Sequence, residues 1–266
     1  MPRTEIRLVA SLIVRNEAGR YLDLTVPALL EFCDEVLALD DNSTDGTAEL
    51  LRALRGVKVV PLHLRPVDPG HSGFYEHEGL ARQALYELTL LQQPTHVLAV
   101  DADEFVSDGQ ALRSYLQGQP EVAAWSLDLD EVWRVERDCL CLRVDGGWRP
   151  HPVAALYAVQ ASSPHWRFAE RALACGRVPA EVEYAAAAGY GLLCELQILH
   201  FGWANPGERA ARHARYALHD QGRFHASAHL DSILDEQQVR LAGRDWPTSL
   251  TPLKEDLMSR CQAVSF

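Results

Sequence analysis

The sequence predicts an α/β fold: a mostly parallel, Rossmann-like sheet flanked by helices, followed by a less regular C-terminal half. Three observations carry that expectation. Up to about residue 105, apolar runs of strand character alternate four times with segments whose apolar residues recur at helical spacing. The strand-like runs are apolar almost throughout, the pattern of strands buried on both faces. Polar clusters follow the first, second and fourth runs, and in open α/β sheets ligands bind beyond the carboxyl ends of the strands.

The elements follow in order. Leu8 to Val14 is a short run rich in β-branched residues and reads as the first strand, ended by Arg15-Asn16-Glu17. From about Tyr21 to Cys33, Leu22, Val26, Leu29, Leu30 and Phe32 mark a helix, and Glu35 to Leu39 a second strand. Thr44 or Asp45 is placed to cap a helix running to about Leu54, after which Val57 to Leu62 forms a third strand. Gly79 to Leu91 carries a strong helical stripe, and Pro94 separates it from the fourth strand, His96 to Val100. Beyond Glu121 the pattern loosens into short runs with many Trp, Arg and Pro. A long His- and Arg-bearing helical segment returns only after Gly202. No internal repeat and no low-complexity linker interrupts the chain.

Composition narrows the function. Among 266 residues, 37 are acidic and 25 basic, a formal net charge of −12, with the basic residues scattered. Nucleic-acid binding draws on clustered cations that neutralise phosphates, so a nucleic acid is not expected as partner. The length and the 47% apolar content suffice for a continuous core. No stretch reaches the roughly 18 apolar residues of a membrane span, and Met1-Pro2-Arg3-Thr4-Glu5 leads straight into the first strand without an apolar leader. Cys33, Cys139, Cys141, Cys175, Cys194 and Cys261 are spread out, and Cys139-Leu140-Cys141 lacks the spacing of a zinc site. A cytoplasmic chain with reduced thiols is expected.

Two clusters carry the chemistry. Asp101 and Asp103 sit two apart at the end of an expected strand, where alternation would turn both carboxylates the same way and Ala102 back into the fold. Two carboxylates so close call for a cation, and a hard divalent ion, Mg²⁺ or Mn²⁺, suits them while leaving positions open for substrate phosphates. The run from Asp41 to Gly46 looks like the start of a calcium-binding EF-hand loop, but its twelfth position is Arg52 rather than Glu. It suits instead a tight strand-to-helix turn in which Asp41 accepts a hydrogen bond from a ligand while Ser43, Thr44 or Asp45 caps the helix.

Three ordered stretches, Ser11 to Ala18 (SLIVRNEA), Asp34 to Thr47 (DEVLALDDNSTDGT) and Val100 to Phe105 (VDADEF), resemble the family 2 glycosyltransferases of the GT-A fold. The resemblance covers about residues 6–115 and returns at Leu199-His200-Phe201-Gly202-Trp203. It implies a GT-A-type fold in which residues 1–120 form a nucleotide-sugar-binding half and residues 121–266 an acceptor-side half of the same compact domain. It implies that Asp41 accepts the N3 proton of a uracil-like base, that Val14, Arg15, Asn16 and Glu17 line the nucleotide pocket, and that Arg82 faces the nucleotide. Asp103 would bind the metal directly, Asp101 would reach the ribose or the metal through water, and His200 would complete the metal shell. The implied activity is transfer of a sugar from a nucleotide-sugar, with UDP favoured, to a hydroxyl acceptor, with inversion at the anomeric carbon.

Inversion requires a carboxylate that takes the acceptor's proton, and Glu170, Glu181 and Glu183 lie in the region where the acceptor side should form. Trp133, Trp148, Trp166 and Trp203 are either sugar-stacking rings or core anchors. Arg149 is a possible contact for an anionic acceptor. His213, His219, His225 and His229 fall on a polar segment and read as solvated, without a second metal site. Two other readings share the pattern. A sugar-phosphate nucleotidyltransferase would need a Gly-rich, basic loop after the first strand, and Arg15 to Arg20 is not one. A non-catalytic nucleotide-sugar-binding module is the other. A phosphatase Asp-X-Asp would sit on the first strand, and no nucleophile elbow or phosphate loop of the P-loop type occurs.

Overall fold

Leu8–Val14 forms the first strand, β1, and only Ile13 of its seven residues is less than fully buried. The structure is a computed structural model that describes residues 5–62, 73–118, 122–168, 176–188, 191–219, 227–236 and 238–262. After β1 come α1 (Leu22–Leu30), β2 (Glu35–Asp40), α2 (Thr47–Ala53), β3 (Val57–Pro61), α3 (Gly73–Leu90), β4 (His96–Ala99), β5 (Glu104–Val106) and α4 (Gly109–Gly118). The remainder is β6 (Ala124–Val135), β7 (Cys139–Arg143), β8 (His151–Ala158), α5 (Ala180–Ala187), β9 (Gly191–His200), α6 (Pro206–His219), α7 (Ser227–Asp231), β10 (Leu241–Asp245) and α8 (Lys254–Cys261). The four strands and the helices between them fall where the sequence predicts, except that α3 begins six residues early and α1 ends short of Cys33. The chain divides into two compact units: residues 1–102, 109–127 and 153–195, and residues 103–108, 128–152 and 196–266.

The first unit is a mostly parallel sheet flanked by helices. β1 lies parallel to β2 on one side (Val14 opposite Asp40) and to β4 on the other (Ser11 opposite Ala99), and β2 is parallel to β3. β8 then adds to β4 antiparallel, with Val97 opposite Tyr157. Side chains alternate across a strand, so Val9, Leu37 and Leu39 share one face, where they pack on Ala81 and Leu85 of α3. Leu8, Ala10, Leu12, Val36 and Ala38 point to the other face and are also buried, which is why these strands read as continuous apolar runs. Tyr86, Tyr157, Phe168 and Val182 form a second cluster in this unit.

The second unit is antiparallel. β5 pairs with the end of β9 (Glu104 opposite His200), and β7 lies between β6 and β10. β6 bulges between Val132 and Arg134, which turns Trp133 into a cluster with Trp148, Trp203, Leu230 and Ile233. The guanidinium of Arg143, 2% exposed, lies 4.4 Å from the Trp133 ring centre and 4.9 Å from that of Trp148, and Arg209 lies 4.5 Å from Trp133. These cation–π contacts and ion pairs to Asp145 and Glu236 compensate two buried charges. Among the described residues no helix is long and apolar enough to cross a membrane.

Candidate functional site

In the first unit, the loops after β1 and β2 form one interlocked structure at the carboxyl ends of the strands. Both turn through left-handed residues that asparagine tolerates, Asn16 (φ 52°) and Asn42 (φ 55°). Asn16 N–H donates to Ser43 Oγ (3.0 Å), and Asn16 Oδ1 accepts from Thr44 N–H (2.8 Å). Glu17 N–H donates to Thr47 Oγ1 (2.8 Å), while Arg20 holds the Glu17 carboxylate at 2.6 Å. Asp45 Oδ1 accepts from Thr47 N–H (3.1 Å) and its hydroxyl (2.6 Å), the capping role expected of it, although Gly46 is the residue that precedes α2. Asp41 is fully buried and gives its N–H to Val14 O (2.9 Å). Arg15 donates to Asp41 O at 2.6 Å and lies 3.6 Å from its carboxylate. After β4, Asp101 is partly exposed and lies 3.9 Å from Arg82, which is held at 2.8 Å by buried Glu78 one helical turn away.

In the second unit, the β5–β9 ladder brings Asp103 to His200. Glu104 stands opposite His200, and Phe201 N–H donates to Asp103 O at 2.9 Å, so the residue before one strand meets the end of the other. Asp103 Oδ1 is 3.4 Å from His200 Nε2, and the other ring nitrogen, Nδ1, is 2.6 Å from Glu131 Oε2. Burial opposes a charged imidazole, but the carboxylates of Glu131 and Asp103 outweigh it and raise His200 well above the ordinary histidine range. Arg212 of α6 donates to Asp103 Oδ2 (2.6 Å), stacks 4.6 Å over Trp203 and reaches within 3.4 Å of His200 Nε2. At Gly202 a Cβ would stand 2.4 Å from Asp103 Oδ2, 2.6 Å from Arg212 and 2.6 Å from His200 Nε2. Three polar groups therefore converge on the space that the missing side chain leaves.

A divalent metal fits this donor set. A carboxylate oxygen and an imidazole nitrogen face each other, Glu131 fixes the ring from behind in the manner of a supporting carboxylate, and Arg212 engages the other oxygen of Asp103.

The structure corrects two expectations, the alternation of Asp101 with Asp103 and the solvated His229, and locates the other candidates. Ala102 and Asp103 lie in a turn rather than an extended strand, so alternation does not govern Asp101 and Asp103, which take different partners, Arg82 and His200 with Arg212. Trp133, Trp148 and Trp203 are core anchors, and Trp166 packs on the Tyr157 cluster. His229 is half-buried rather than on a solvated face: it stacks on Trp148 at 4.5 Å. The Glu181 carboxylate accepts Arg167 N–H (3.1 Å), and Glu183 lies against Gly176. Arg149 is exposed. Glu170, His225 and the side chain of His219 lie outside the described residues. Glu131 and Arg212 escape the sequence reading because each lies among other charged residues, Asp128 and Asp130 on β6 and Arg209 and Arg215 on α6, with no spacing that singles it out. Gly202 is present in the His200-Phe201-Gly202-Trp203 stretch, but only its contacts show its purpose.

No family model matches the chain. It is 27% identical over 220 residues to uncharacterized proteins of Mycobacterium bovis and Mycobacterium tuberculosis, matching 79% of its own length. The chain spans about half the length of these curated relatives, 50%. Among solved structures it is similar to mannosyl-3-phosphoglycerate synthase from Rubrobacter xylanophilus (23% identity, TM-score 0.33, 50% of this chain and 42% of that one). It is also similar to glucosyl-3-phosphoglycerate synthase from Mycobacterium tuberculosis (22%, TM-score 0.31, 47% and 44%) and to a 4-diphosphocytidyl-2C-methyl-D-erythritol synthase (15%, TM-score 0.41, 72% and 90%).

Proposed function

We propose that this chain is a metal-dependent glycosyltransferase of the family 2, GT-A type, moving a sugar from a nucleotide-sugar, UDP-linked in the first instance, to a hydroxyl acceptor. The observation that carries the reading is in the first unit: three neighbouring parallel strands, β1, β2 and β4, each end in the polar cluster that the motif resemblance assigns to the nucleotide. In this reading Asp41 takes the base, Val14 to Glu17 line the nucleotide's surroundings, and Arg82 with Asp101 faces the ribose and phosphates. The interlocking of Asn16, Ser43, Thr44 and Thr47 supports it, because it fixes the loops before any ligand arrives and lowers the ordering cost of binding.

Asp103 and His200 are the residues that would hold Mn²⁺ or Mg²⁺, which as a Lewis acid neutralises charge developing on a nucleoside diphosphate leaving group. Glu131 acts as a positioning residue: by accepting at Nδ1 it orients the ring so that Nε2 faces Asp103. Arg212 supplies a fixed positive charge beside the same carboxylate. Glu170 remains the proposed base for the acceptor hydroxyl.

Calorimetric titration of UDP, with and without Mn²⁺, into wild type and Asp103→Ala tests the proposal. Binding by wild type that needs the metal and is lost in the variant is the expected result. Equal binding by both proteins, or no binding of any nucleotide, overturns it. Release of pyrophosphate from a nucleoside triphosphate would assign the chain to the nucleotidyltransferases instead.

A further inference from the structure

A second cluster of ligand atoms lies in the β6–β7 hairpin of the second unit. Cys139 and Cys141 are two apart on β7 and therefore share a face. The turn is closed by Glu136 N–H donating to Cys139 O (3.0 Å), and Trp246 Nε1 donates to the Glu136 backbone carbonyl (3.1 Å). One carboxylate oxygen of Glu136 and the two Sγ atoms all lie within 4.8 Å of one another, the only such trio among the described residues. The Cys139 thiol is 3.8 Å from Glu136 Oε2, whereas Oε1 faces Arg134 at 4.0 Å. On the neighbouring strand β10, Gly243 stands opposite Cys141 and Asp245 opposite Cys139. Directly opposed residues share a face, so the missing side chain at Gly243 leaves room beside the sulfurs, and Asp245 adds a carboxylate to the same side.

We propose that Cys139, Cys141 and Glu136 form a binding site for a thiophilic divalent cation, Zn²⁺, separate from the Asp103–His200 pair and independent of the transferase reading. Two sulfurs and one oxygen are a borderline-soft donor set, which favours Zn²⁺ over Mg²⁺, Mn²⁺ or Ca²⁺. Three protein ligands leave a fourth, tetrahedral position for water or for Asp245. Each thiol gives its proton to solvent as its sulfur binds the ion, and no electron is transferred. Cys139 is half-buried and Glu136 exposed, so the ion has a path from solvent, while Cys141 anchors it from the buried side. The Cys-X-Cys spacing alone does not announce the site, because the third donor comes from the other arm of the hairpin.

The test uses the full, reduced, metal-free chain titrated with Co²⁺. One equivalent should produce the near-ultraviolet sulfur-to-cobalt charge-transfer band, and Zn²⁺ should abolish it. The band should be lost in C139S/C141S and kept in C261S and H200A. Because the double variant replaces one buried thiol, alkylation of wild type followed by mass spectrometry gives a second reading: Zn²⁺ should protect Cys139 and Cys141 and leave Cys33 and Cys261 unchanged. No band in wild type, a band undiminished in C139S/C141S, or alkylation indifferent to Zn²⁺ overturns the site.

Discussion

Gly202 shows how much one absent side chain can decide. Its neighbours Asp103, His200 and Arg212 converge on the space a Cβ would fill, so Gly202→Ala must displace at least one of them. Overpacking of this kind costs about 1–3 kcal/mol. The expected outcome is a folded protein with a modest fall in urea midpoint and a loss of Mn²⁺-dependent UDP binding by calorimetry. Retained binding would mean that the three groups can give way without consequence. The sequence exposed Asp103 and His200 through their stretches but not Glu131 or Arg212, because a contact made across 69 or 109 residues leaves no local pattern. The tryptophans teach the same lesson. A sugar platform and a core anchor require the same flat apolar ring, and only burial separates the two roles.

Among the elements, the parallel strands were the most legible. Burial on both faces demands an apolar residue at nearly every position, so β1, β2 and β4 announce themselves. β4 carries an exception in His96, which sits 5.7 Å from Trp125 and whose Nδ1 shares a hydrogen bond with Thr95 Oγ1 at 2.9 Å. Burial lowers its pKa from 6.5 to about 4. The unfolded chain therefore binds a proton below about pH 6.5 that the folded chain refuses until about pH 4. Stability is fully present above the unfolded value and is lost as pH falls through that window. Urea unfolding should show wild type losing on the order of 1 kcal/mol more than His96→Phe between about pH 7 and pH 5, screening by solvent included. Parallel pH profiles for the two proteins would contradict this. β6 was illegible for the opposite reason. Asp128, Asp130 and Glu131 interrupt its apolar residues, and Asp130 and Glu131 are buried because Arg244 and His200 come to meet them from elsewhere. A strand whose polar residues are satisfied by distant partners resembles an irregular loop in the sequence.

At the scale of the whole molecule, the two units rest on different cores. The first joins an aliphatic cluster on the parallel strands to a second one containing Tyr86, Tyr157 and Phe168, and the second is built on tryptophans sandwiching arginines. Trp133→Ala removes the ring over which both Arg143 and Arg209 sit, and such truncations cost about 3–5 kcal/mol. A large fall in thermal midpoint is expected, and an unchanged midpoint would show that the second unit does not depend on this cluster. What the sequence determined by itself is the strand–helix alternation, the position of the polar clusters after β1, β2 and β4, and the residue types that point to a divalent ion. These are local properties, fixed by hydrophobic period, turn chemistry and spacing along the chain. What only the tertiary structure decided is which groups meet: Glu131 behind His200, Arg212 on Asp103, and the tryptophans turned inward. Those meetings depend on antiparallel register and on a bulge, which bring together residues far apart in the chain through backbone hydrogen bonds that no single stretch of sequence specifies.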